Sequence, residues 1–81
     1  MTREEIFAEL NVIFRKIFDD ESIVLTDSTS SADIEDWDSL AQINIITSVQ
    51  EKFGAKFNIL ELNAVKNVGE LADMVLQKVN A

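Results

Sequence analysis

Apolar residues fall at helical spacing in three stretches of the chain. In the first, Ile6, Leu10, Ile13, Phe14 and Ile17 recur at intervals of three and four, and Phe7 and Phe18 widen the stripe. That period puts them on one face and predicts a helix from Thr2 to Phe18. Thr2 followed by Glu5 fits a capping box, the hydroxyl taking one free N–H and the glutamate reaching back to another. The second stretch predicts a helix over Ser39–Phe53, with Ile43, Ile46, Val49 and Phe53 facing inward and Ile45 broadening the face. Gly54 then fits a left-handed cap, where a side chain would clash. The third stretch predicts a last helix over Val68–Val79, its inner face made by Val68, Leu71, Val75 and Val79, with Asn67 and Glu70 repeating the capping-box spacing. Gly69 lies in its first turn, where glycine is less unfavourable than in mid-helix. A short helical turn fits Ile59–Asn63.

Residues 19–38 carry no sustained period, and Ser, Thr and Asp dominate 26–33. Side chains of this kind compete for backbone hydrogen bonds and block a regular element. Loops of this length in compact domains are functional or disordered. Ile23, Val24, Leu25, Ile34 and Trp37 argue for an ordered loop pinned to the core, with Trp37 as a packing anchor. The chain has no proline, two glycines and no alternating strand segment. The expectation is an all-α protein: a four-helix bundle with three longer helices, one short helix and a long first connection. A chain of 81 residues makes one domain, 1–81, large enough for a small core.

Composition removes several chemistries. There is no Cys and no His. A disulfide framework, a Cys/His metal site and a Ser-His or Cys-His catalytic pair within this chain are therefore excluded. No metal site is expected, and any thiol chemistry needs a thiol from outside. No apolar run reaches membrane-spanning length and no signal-peptide pattern opens the chain, so a cytoplasmic protein without membrane insertion is expected.

Net charge is −8, unevenly placed. Between Lys16 and Lys52 there is no basic residue, while Asp19, Asp20, Glu21, Asp27, Asp33, Glu35, Asp36, Asp38 and Glu51 bring −9. Acidic loops keep small proteins soluble. They also steer a protein toward a basic partner surface. Concentration around one candidate site favours steering. Nucleic acid is disfavoured as a ligand, because phosphates need cations.

That candidate site is Trp37-Asp38-Ser39-Leu40, where the acidic loop meets the second helix. Asp38 suits the N-cap and Ser39 the first helical position. Free N–H groups and the positive end of the helix dipole favour a phosphate there. Leu40 offers an apolar contact beside the hydroxyl. Asp and Ser are also ordinary capping residues, and Asp-Ser-Leu alone is a short pattern. Its register with Phe53-Gly54 and with Asn67-Val68-Gly69-Glu70-Leu71 raises its weight.

On those landmarks, with Ile43, Ile46 and Val65 at the matching spacing, the chain resembles the acyl carrier protein family along essentially its whole length. Trp37 resembles a branch of discrete bacterial carriers. The resemblance implies a carrier and not an enzyme. A phosphopantetheinyl transferase, with magnesium, would place 4′-phosphopantetheine on the Ser39 hydroxyl, and the thiol of that arm would hold acyl groups as thioesters. Asp38 matches the family's motif aspartate, which combines capping with recognition by the transferase. Ile43, Ile46, Phe53, Val65 and Val68 are candidates to line an acyl cavity, core packing being their simpler role. Partners would be the transferase, an acyl ligase or acyltransferase, and other biosynthetic enzymes with basic docking surfaces. A monomer is expected.

The surface departs from the family pattern. Fatty-acid carriers usually show several acids along the second helix; here it reads Ala41, Gln42, Asn44, Thr47, Ser48, Gln50, Glu51. The short helix, with Lys56, Ile59, Leu60 and Asn63 in its region, has Glu61 as its lone acid. Asn58 stands where a proline commonly opens that segment, and Asp36-Trp37 where a glycine is usual. Acidity has moved upstream of Ser39. Asp33, Glu35, Asp36, Asn44, Thr47, Gln50 and Glu51 are the candidate partner-binding residues. A specialised lipid, polyketide or related pathway is favoured over housekeeping fatty acid biosynthesis. An aminoacyl or peptidyl carrier with the same arm is the alternative, although such carriers more often have a glycine pair before the serine. A helical interaction module, with Ser39 as a mere cap, is the other.

Overall fold

The computed structural model describes residues 1–80, and the side chains of all of these but Ile59, Leu62 and Asn63. Ile59 and Asn63, named above in the short helix, lie outside the described side chains. Four helices follow in order: α1 (Arg3–Phe18), α2 (Ser39–Phe53), α3 (Ile59–Ala64) and α4 (Val68–Val79), with no strand among the described residues. The all-α expectation holds.

The helix ends form where capping chemistry puts them. Glu5 N–H donates to Thr2 Oγ1 at 3.2 Å and Thr2 N–H donates to Glu5 Oε1 at 2.9 Å, the reciprocal pair expected of a capping box. Gly54 closes α2 at φ 63°. At α4 half of the expected box forms. Glu70 N–H donates to Asn67 Oδ1 at 2.8 Å, but Glu70 Oε2 accepts from Lys66 N–H at 2.6 Å, one residue before the cap.

The core lies where α1 packs against α2 and α4. Its largest fully enclosed side chains are Ile6, Leu10, Phe14, Ile45, Val49, Val68 and Val75. Ile43, expected to face inward, is 62% exposed; Ala41, Ile45, Ile46 and Val49 are the buried residues of α2. At 100° per residue, Ala41, Ile45 and Val49 share one stripe, and Ile43 points elsewhere.

Residues 19–38 are held to the helices by side chains of α1 and by backbone N–H groups of α4. Leu25 N–H donates to Asn11 Oδ1 at 2.8 Å, and Arg15 Nε donates to the Ile23 carbonyl at 2.7 Å. Ile23 and Leu25 consequently turn inward. Val24 between them is 70% exposed, correcting the expectation that it helps pin the loop. A second fixing point lies at α4. Val68 N–H donates to the Thr29 carbonyl at 2.8 Å and Gly69 N–H to the Asp27 carbonyl at 3.0 Å, so the loop satisfies free N–H groups at the start of α4. Arg3 clasps the same point, pairing with Asp27 and, at 2.9 Å, with Asp73. Asp27 is thereby held below its usual carboxylate pKa, the Arg3 hydrogen bond being the main cause. Gly69 is more than a tolerated glycine. A Cβ there would lie 2.7 Å from the Asp27 carbonyl oxygen.

Candidate functional site

The loop ends at Trp37, whose indole is its third fixing point. The ring meets Phe14 edge-on, centroids 5.2 Å apart, and lies 6.5 Å from Phe18. Its Nε1–H donates to Gln42 Oε1 at 2.6 Å, tying the last loop residues to the first turns of α2. Trp37 is the packing anchor expected of it. Ile34, half-buried, packs against the same core.

Immediately after this anchor the backbone enters α2. Asp38 is extended at φ −107°, ψ −171°, and its Oδ1 accepts from Ala41 N–H at 2.8 Å. Asp38 is the N-cap, and Ser39 is the first residue of the helix. Ser39 is exposed, and its hydroxyl enters no hydrogen bond among the described residues. The two residues thus divide the work: the carboxylate caps the helix and the hydroxyl stays free. No acidic residue stands in the first turn of α2 itself. Leu40, next to the serine, is 67% exposed.

Ser39 stands at the edge of a half-open cleft of about 770 Å³ between the start of α2 and the α3–α4 connection. Ile43, Ile46, Val65 and Leu71 make its apolar lining; Trp37, Lys66 and Asn67 contribute polar atoms around them. Three of the five residues proposed for a cavity, Ile43, Ile46 and Val65, are here. Val68 is wholly in the core, and Phe53 packs against it. The exposure of Ile43 has its explanation: it faces this cleft.

The candidate partner-binding residues fall into two groups. Asp33, Glu35 and Asp36 are all exposed on the loop. Asp33 also shapes it, its Oδ2 accepting from Ser30 N–H at 2.9 Å. On α2, Asn44, Thr47 and Glu51 are exposed. Gln50 is half-buried, and its Oε1 accepts from Phe57 N–H at 3.0 Å, so its carbonyl braces the segment leading to α3. Asn11, Arg15, Arg3 and Gly69, which hold the loop that presents Ser39, were not singled out for that role from sequence. Asn11 and Arg15, polar and four apart on α1, were the available signal.

No helix among the described residues is long and apolar enough to cross a membrane, and no group of His, Cys, Asp and Glu among them could hold a metal ion.

Residues 9–75 match the family profile described as the phosphopantetheine attachment site. An acyl carrier protein of Rhodococcus erythropolis is 32% identical over 80 residues, covering 99% of this chain and 87% of that protein. The polyketide biosynthesis acyl-carrier-protein AcpK of Bacillus subtilis is 43% identical over 44 residues, 54% of each chain. The solution structure of a holo acyl carrier protein from Geobacter metallireducens superposes with a TM-score of 0.88 at 48% identity, covering 93% of this chain and 86% of that one.

Proposed function

The chain belongs to the acyl carrier protein family, and from that premise we propose that it carries its 4′-phosphopantetheine on Ser39 and serves a specialised biosynthetic pathway. Proteins of this family carry substrates for other enzymes and are not themselves catalysts. When bound, the group supplies a terminal thiol on which acyl groups are carried as thioesters. The residues present fit it. The observation that carries the assignment is the free, exposed Ser39 hydroxyl at the first position of α2, its capping duty taken over by Asp38. The exposed start of α2, with no acid in its first turn beyond the capping Asp38, suits a phosphodiester, and the adjoining cleft offers apolar walls to whatever the arm bears.

Partner choice is the finer part of the proposal. Asp33, Glu35 and Asp36 stand exposed ahead of Ser39, while α2 presents Leu40, Asn44 and Thr47 outward, with Glu51 as its only acid. Enzymes that find their carrier through acids on the second helix would lose steering here. Enzymes with a basic surface placed to meet the loop would gain it. Similarity to a polyketide carrier over half the chain supports a dedicated pathway. The phosphopantetheinyl transferase and an acyl ligase or acyltransferase are the expected partners of a cytoplasmic monomer.

The test is direct. Incubation with a broad-specificity phosphopantetheinyl transferase, coenzyme A and magnesium should raise the intact mass by one phosphopantetheine group. Ser39→Ala should abolish the gain with the circular dichroism spectrum unchanged. No gain across several transferases, or a gain that survives Ser39→Ala, refutes attachment at Ser39.

A further inference from the structure

We propose that Lys66 is the counter-ion of the phosphodiester that links Ser39 to its arm, holding the arm along the cleft instead of out in solvent. The inference rests on attachment at Ser39. Attachment adds a negative charge where the chain is already most negative, within a stretch of nine acids without a base, eight of them ahead of Ser39. Lys66 is the single Lys or Arg among the residues lining the cleft with Ser39. The single carboxylate among them, Asp38, already accepts from Ala41 N–H.

The ammonium of Lys66 is available. Arg3, Lys52 and Lys78 each pair with a carboxylate, whereas Lys66 Nζ forms no ion pair among the described residues. Glu70, the acid nearest along the chain, directs Oε2 to the backbone N–H of Lys66. The backbone of Lys66 is therefore fixed at the cleft while its four-carbon stem stays free to swing. The α2 start offers N–H groups from one side, and Lys66 a full positive charge from the other. With the phosphodiester neutralised by Lys66, the cleft residues Ile43, Val65 and Leu71 would be the apolar walls available to the arm.

Amide spectra of ¹⁵N-labelled protein before and after arm attachment test this, with intact mass recorded on each sample. Wild type, Lys66→Arg, Lys66→Gln and Lys66→Glu are compared. In wild type and Lys66→Arg, attachment should shift the amides of Val65, Lys66 and Asn67. Those shifts should shrink in about 1 M salt, where the screening length is about 3 Å. Lys66→Gln and Lys66→Glu should take the arm to full mass and keep the shifts at Leu40–Gln42, but lose those at 65–67. Equal shifts at 65–67 in Lys66→Glu would overturn the proposal. So would their absence from wild-type holo protein, or their appearance only after a carboxylate-bearing acyl group is loaded. No mass gain in wild type would instead remove attachment itself.

Discussion

Gly69→Ala isolates the contact between the loop and α4. A Cβ at this position would stand 2.7 Å from both the carbonyl and a carboxylate oxygen of Asp27, and 3.0 Å from its Cα. The carboxylate can rotate away; the backbone carbonyl cannot move without disturbing the bonds from Gly69 N–H (3.0 Å) and Val68 N–H (2.8 Å) to the loop. Overpacking of this kind costs about 1–3 kcal/mol. Alanine's advantage over glycine in a helix offsets up to about 1 kcal/mol of that, less in a first turn. A net loss of about 1–2 kcal/mol remains, which lowers Tm by roughly 5–15 °C in a domain of this size. Gly54→Ala makes the matched control. Nothing lies within 4 Å of a Cβ there, but φ is +63°, so its loss is backbone strain of about 1–2 kcal/mol. Thermal melts give both losses, and amide exchange separates them. Exchange at Val68 and Gly69 should accelerate in Gly69→Ala beyond its change in Gly54→Ala. A Gly69→Ala protein as stable as wild type, with Val68 and Gly69 still protected, refutes the reasoning.

Other perturbations address the loop and its charges. Trp37→Phe keeps an aromatic ring against Phe14 but removes the 2.6 Å bond to Gln42, so urea denaturation should show a loss of about 0.5–1.5 kcal/mol; Gln42→Leu should lose no further stability when combined with Trp37→Phe. Changing Asp33, Glu35 and Asp36 to their amides should slow association with a cognate enzyme and flatten its salt dependence, as read by stopped-flow mixing; an unchanged rate would restrict these acids to solubility. Acid stability follows from the depressed carboxylates. Asp27 is held below its ordinary 3.8 mainly by the Arg3 hydrogen bond, Asp20 mainly by Ser22, and Glu5 below 4.5 mainly by the Thr2 backbone N–H. A lowered folded pKa stabilises the fold above the unfolded value, and that stabilisation disappears as pH falls through the folded one. Tm should therefore decline with acidification below about pH 4.5, and Arg3→Gln should make that decline shallower.

Local signals were legible in the sequence and long-range ones were not. Thr2 with Glu5, Asp38 before Ser39, and Gly54 after Phe53 each act within a few residues, so the helix limits could be read directly. The face of α2 could not. Ile43, Ile45, Ile46 and Val49 make it apolar over a wide arc, and only the positions of α1 and α4 decide that Ile45 and Val49 go inward while Ile43 borders the cleft. The Ile23-Val24-Leu25 run reads as uniformly apolar until Asn11 and Arg15 fix the backbone at both ends of it; alternation then sends Val24 outward. The candidate serine was legible because Asp-Ser-Leu combines a cap with an idle hydroxyl. The devices that hold it in place join residues as far apart as Arg3 and Asp73, and no local pattern announces such a pair.

Loop anchoring has a consequence for presentation of Ser39 that stability alone does not capture. The loop is fixed at residues 23–25 by α1, at 27–29 by the start of α4, and at Trp37 by Phe14 and Gln42. Asp33, Glu35 and Asp36 ride on the short span between the last two fixings. Their positions relative to Ser39 therefore depend on the α4 contact, although none of them touches it. Acids borne on α2 would instead keep their register with Ser39 through the helix itself. If partners read the loop acids, Gly69→Ala should slow modification of Ser39 by a transferase more than Gly54→Ala does, compared at a temperature where both are fully folded. The difference should vanish once Asp33, Glu35 and Asp36 are neutralised, because the displaced charges are then gone. Equal rates for the two glycine variants would show that the α4 anchor serves stability alone and that recognition is confined to α2 and the serine.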